Sequence, residues 1–128
     1  MNSGDEVMAI ERAIEMVRKL VPDLDERIGR FEVEDFEMDD ELIAAFCEEL
    51  DRLSTDLRSG LDTSNDKKTH VAAHSIKGMG GTMGLPEISV LAQEVELTHE
   101  AGQKDRCEFL SKELIIWARN FIAEHQRS

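Results

Sequence analysis

Apolar residues recur at three- and four-residue steps in several stretches of this chain, the spacing of helices with one buried face. The first runs over about residues 5–20, through Val7, Ile10, Ile14, Val17 and Leu20. Val21-Pro22-Asp23 interrupts it, and Asp25 to Phe31 predict a short further turn of helix. A long helix is predicted over about 39–60, with Leu42 or Ile43, Phe46, Leu50, Leu53 and Leu57 as its seam and Gly60 as its stop. Thr63, Ser64 or Asn65 caps a central helix that runs to about Met83. Pro86 stands where a first helical residue would, opening a helix over about 86–101 through Ile88, Leu91, Ala92 and Val95, with Gly102 as its stop. The last helix, about 105–125, carries Leu110, Leu114, Trp117 and Phe121, widened by Ile115, Ala118 and Ile122.

Stripes of this kind must be buried against one another. The expected fold is all-α: an antiparallel up-down-up-down four-helix bundle over about 39–125, with an additional N-terminal helix, about 5–31, packed as a lid. The chain, 1–128, reads as a single domain. No alternating strand pattern competes.

The central helix is the unusual one. It holds Ala72-Ala-His74-Ser-Ile-Lys77-Gly78-Met-Gly80-Gly81-Thr-Met-Gly84. At about 100° per residue, Ala72, Ile76, Met79 and Met83 share one face. His74 falls on the opposite face, within about 60° of His70, Lys77, Gly78 and Gly81. Each helical Gly costs about 0.8–1 kcal/mol relative to Ala. Met79 and Met83 keep the helical period through the glycines, so the reading is a continuous helix whose bare backbone lets a large partner approach His74.

Charge narrows the partners. Fifteen basic and 28 acidic side chains give a formal net charge of −13, which disfavours nucleic acid or an anionic membrane surface. Seven carboxylates crowd residues 32–41, but without the Gly and ligand alternation of a calcium loop; they read as a solvated linker. No apolar run approaches a membrane span and the polar start is not a signal peptide. Cys47 and Cys107 lie far apart and outside any short metal motif, as reduced thiols of a cytoplasmic protein would.

His70 and His74 have the i,i+4 spacing of a helical metal pair, but Val71-Ala72-Ala73 offers no base and no third ligand is evident, so no metal is expected. No elbow motif sets up a Ser or Cys nucleophile. An outward imidazole beside a lysine, with little bulk around it, suits attack on a phosphoryl group: a neutral ring nitrogen needs no base, and Lys77 offsets charge on the transferring oxygens.

His74-Ser-Ile-Lys77-Gly78, then Gly84-Leu85, then Ile88, Ala92, Val95 and Glu96 resemble the histidine-containing phosphotransfer (HPt) domain of two-component phosphorelays. The same words also resemble the phosphorylated domain of chemotaxis histidine kinases. The resemblance implies that His74 is the phospho-accepting residue, Lys77 the lysine near the phosphoryl group, and Gly78 the glycine that leaves room for a receiver domain. Gln93 and Glu96 match positions that orient the imidazole in some members. His70 and Gly81 complete the expected docking patch. The implied partners are response-regulator receiver domains and a hybrid sensor histidine kinase, with magnesium supplied by the receiver, no cofactor of the chain's own, and a monomeric state. The chain lacks room for an ATP-binding kinase domain and shows no P-loop. The alternatives are a stand-alone chemotaxis-type domain phosphorylated directly by a kinase, a helical interaction module whose His74 is never modified, and a metal pair at His70 and His74.

Overall fold

The computed structural model describes residues 15, 17–31 and 39–125. The expected seam at Val7, Ile10 and Ile14 and most of the acidic stretch 32–41 lie outside them. Every regular element among the described residues is helical. Residues 17–20 end a helical stretch. Helix α1 (Leu24–Arg27) follows and passes into a 3-10 turn, Ile28–Arg30. Four longer helices come next: α2 (Asp40–Asp62), α3 (Asp66–Thr82), α4 (Pro86–Glu100) and α5 (Lys104–His125).

The ends obey local chemistry. Asp39 caps α2 by accepting from Leu42 N at 2.7 Å, and of the three candidates before α3 it is Asn65 that caps, accepting from Lys68 N at 3.1 Å. Such caps are worth about 1 kcal/mol each. Pro86 occupies the first turn of α4. Gly84 and Gly102 take φ of 72° and 73°, the left-handed region that turns the chain after α3 and α4.

Gly60 is not the stop it resembles. Helix α2 continues to Asp62, and Gly60 is buried where α2 meets α3. A Cβ there would lie 2.8 Å from the backbone nitrogen of Thr69. The glycine is spent on close approach between helices rather than on termination.

Consecutive long helices pack side by side, and α2 also packs on α5. Phe46, Leu50, Leu53 and Leu57 from α2, Ala72 and Ile76 from α3, Ile88, Leu91 and Val95 from α4, and Leu110, Leu114 and Trp117 from α5 fill the middle. Helix α4 is the most deeply set, buried continuously from Glu87 to Ala92. Trp117 lies in this core and stacks on Phe121 with ring centroids 5.2 Å apart. Cys47 and Cys107 are buried and unpaired, and burial pushes the Cys47 thiol up, which keeps it protonated and unreactive.

The N-terminal segment adds Val17, Val21 and Leu24 to the same core. Burying each contributes about 1.5–3 kcal/mol before the ordering cost. Polar contacts hold its outer side: Arg106 Nη2 donates to Leu20 O at 3.1 Å, and Arg27 donates to two residues of α4. No helix among the described residues is long and apolar enough to cross a membrane.

Candidate functional site

Helix α3 runs unbroken from Asp66 to Thr82 with Gly78, Gly80 and Gly81 inside it. What keeps the inner side of this Gly-rich stretch regular is Ser89 of α4, fully buried. Its hydroxyl donates to Lys77 O at 2.6 Å and accepts from Gly81 N at 2.8 Å. Lys77 O and Gly81 N are an i, i+4 backbone pair, so one hydroxyl ties both ends of a helical turn. Gly80 makes room for this: a Cβ on it would lie 2.8 Å from Ser89 N. Nothing in the sequence marked Ser89 out, except that it is a small polar residue inside an apolar run opposite a Gly-rich helix.

On the outer side, the His74 side chain is 62 % exposed. Its Nδ1 lies 3.3 Å from Oε2 of Glu96, a residue of α4 whose side chain is only 8 % exposed. A carboxylate can only accept, so Nδ1 carries the ring proton and Nε2 the lone pair. Lys77, 25 % exposed, brings Nζ to 2.9 Å from the other oxygen, Oε1. That approach is off the axis of a hydrogen bond, so Glu96 Oε1 has a close cation but no aligned donor. One buried carboxylate thus orients the imidazole and holds the lysine beside it. The ring of His70 stacks on that of His74, centroids 5.9 Å apart and planes 19° from parallel.

Gly78 is exposed, and a Cβ there would meet nothing within 4 Å. Gly81, expected on the same open patch, is not open. It is buried, and a Cβ on it would collide with the carbonyl oxygen of Phe31. Phe31, at the end of the N-terminal segment, lies against α3 at that point, which the rotation of α3 alone could not reveal. Gln93 is also occupied elsewhere. Its Oε1 accepts from Arg27 Nη2 at 2.7 Å, while Arg27 Nη1 donates to Glu94 Oε2 at 2.8 Å. No hydrogen bond joins Gln93 to His74 among the described residues. Of the two residues expected to orient the imidazole, the structure places Glu96 against it and Gln93 against the N-terminal segment.

The site also differs in charge from its surroundings. Helix α3 carries Lys67, Lys68 and Lys77 against one acid, Asp66, a formal +2 in a chain of −13. A partner presenting carboxylates or phosphate would meet there the one long helix among the described residues with a net positive charge.

The arrangement can do nucleophilic chemistry: an accessible ring nitrogen with its lone pair outward, a fixed tautomer, a cation one turn away and an empty approach over Gly78. Comparison with curated proteins and with solved structures gives no match. The family model for the Hpt domain matches residues 41–120, from the first turn of α2 into the last turns of α5, with His74, Lys77 and Glu96 inside the matched span. The chain belongs to the Hpt domain family, whose members carry out histidine phosphotransfer in two-component signalling.

Proposed function

We propose that His74 relays a phosphoryl group between receiver domains. Nε2 attacks the phosphorus of a receiver's aspartyl phosphate. The N–P bond forms, the P–O bond to the aspartyl carboxylate breaks, and the carboxylate leaves. A second receiver's aspartate reverses the step. Glu96 holds the Nδ1 proton throughout and offsets positive charge on the ring. Lys77 turns from Glu96 Oε1 to the phosphoryl oxygens as they arrive. Gly78 provides the gap through which the receiver's aspartate pocket reaches His74, and magnesium comes with that pocket. His70 lies at the edge of the landing surface.

The reading extends to the frame. The four long helices form an antiparallel up-down-up-down bundle within a single, monomeric, cytoplasmic domain, and the segment before Phe31 acts as its lid. Short connections at 63–65, 83–85 and 101–103 support the alternation of direction.

The observation that carries the proposal is the exposed imidazole tethered through Nδ1 to a buried carboxylate. The test is incubation with a phosphorylated receiver. The expected result is acid-labile, base-stable phosphate on the wild type and none on His74→Gln. Labelling that persists in His74→Gln sinks the assignment. Labelling by a kinase with ATP but by no receiver favours the chemotaxis-type reading.

A further inference from the structure

The histidine pair on α3 lacks a third ligand in the sequence, and the fold supplies one. Helix α4 brings Glu96 against His70 and His74, so that one donor atom from each lies within 4.8 Å of the others. Two imidazoles and one carboxylate form a donor set suited to a borderline-soft divalent cation, above all Zn²⁺. Zinc bonds of about 2.0–2.2 Å put tetrahedral ligand atoms roughly 3.3 Å apart. His74 Nδ1 and Glu96 Oε2 already have that separation, 3.3 Å. Ligation through Nδ1 moves the ring proton to Nε2, and the remaining closure is rotation of the two imidazoles, His74 exposed and His70 partly so.

A second observation points the same way. Glu96 is 6 % exposed, yet its Oε1 has no aligned hydrogen-bond donor. Buried carboxylate oxygens are ordinarily satisfied. Lys77 Nζ stands 2.9 Å away but off axis, and its flexible, partly exposed side chain can withdraw to water when a cation takes the oxygen.

We propose that His70, His74 and Glu96 bind one Zn²⁺, with water completing the tetrahedron, and that this cation and the phosphoryl group exclude each other. A neutral imidazole has one lone pair. Whichever nitrogen of His74 gives it to the metal, the other keeps the proton, and no nucleophile is left. The exclusion rests on the phosphotransfer reading above; the metal site does not.

The test is calorimetric titration of the full chain with zinc at neutral pH, beside magnesium as a hard-cation control. One equivalent of zinc should bind to the wild type and magnesium should not. His70→Ala and Glu96→Gln, checked for folding by circular dichroism, should each weaken uptake by more than about tenfold, the loss expected even for an outer partner of a metal ligand. Cobalt should give the visible absorption of a tetrahedral site in the wild type alone. His70→Ala titrating like the wild type would overturn the site, because zinc would then be held by the acidic surface. The second arm is labelling by a phosphorylated receiver, each protein judged against its own zinc-free reaction. Zinc should suppress labelling of the wild type and spare His70→Ala; equal suppression of both overturns the exclusion, since zinc would be acting on the receiver. Labelling without zinc uptake removes the metal site and leaves the relay standing. Zinc uptake without labelling in the zinc-free arm supports the site and removes the relay.

Discussion

Gly78 and Gly81 lie one turn apart on the same side of α3, and their surroundings are opposite. Above Gly78 there is open space; above Gly81 lies the backbone of Phe31. Gly80, one position earlier, is packed on Ser89 and Ile88 of α4. Identical residues in one helix therefore serve two purposes. Gly80 and Gly81 let pieces of this chain approach one another, and Gly78 borders open space, which the relay proposed above would use for a receiver. A glycine-rich stretch beside a reactive histidine is not by itself a landing surface; its extent is set by what else the fold lays across it.

The sharpest test of that contrast is substitution by alanine, which helps a bare helix. At Gly80 or Gly81 the added methyl must push aside Ser89 or the Phe31 carbonyl. Overpacking costs about 1–3 kcal/mol and should outweigh the helical gain. Denaturant melts should show both variants less stable than wild type, and Gly81→Ala should expose the segment before Phe31 to protease. A Gly81→Ala protein as stable and protease-resistant as wild type would dissolve the comparison.

Gly78→Ala should go the other way, with a smaller effect. No atom opposes the methyl, so stability should rise by about 0.8–1 kcal/mol, while transfer from a receiver slows. A faster or unchanged transfer would show that the space over Gly78 is not used.

The smallest effect concerns Glu87, in the first turn of α4, which follows the covered end of α3. Burial pushes its carboxyl up from 4.5, so folding favours the protonated form. That contribution is fully present below 4.5 and is lost as pH rises through the folded value. Glu87→Gln should therefore be more stable than wild type at neutral pH, with the difference shrinking as pH falls through the folded value and levelling off below 4.5. A difference that is constant with pH would mean the carboxyl stays protonated, or is equally solvated in both states.

Much of this could be read from the sequence. Periodicity located α2 to α5 within a few residues because each buries one stripe, and Pro86, Gly102 and Asn65 mark boundaries by local chemistry. A single motif spans His74, Lys77 and Glu96 and sets Glu96 beside the ring, where the structure has it; that the same carboxylate also meets Lys77 was not legible. The misreadings have a common cause. Gly60 looked like a stop and Gly81 like open surface because a glycine's local preferences do not reveal which distant backbone fills the space beside it. Gln93 looked available to the imidazole until Arg27, 66 residues earlier, took its oxygen. Ser89 stayed hidden for the same reason: its two partners lie on another helix.

The contact of Phe31 with α3 has one more consequence. Residues up to 31 lie ahead of the matched span, 41–120, so the cover over Gly81 comes from outside that span. For the relay proposed above, substitutions near Phe31, rather than removal of a segment that also fills the core with Val17, Val21 and Leu24, would reshape the surface beside His74 and retune docking while leaving the imidazole in place.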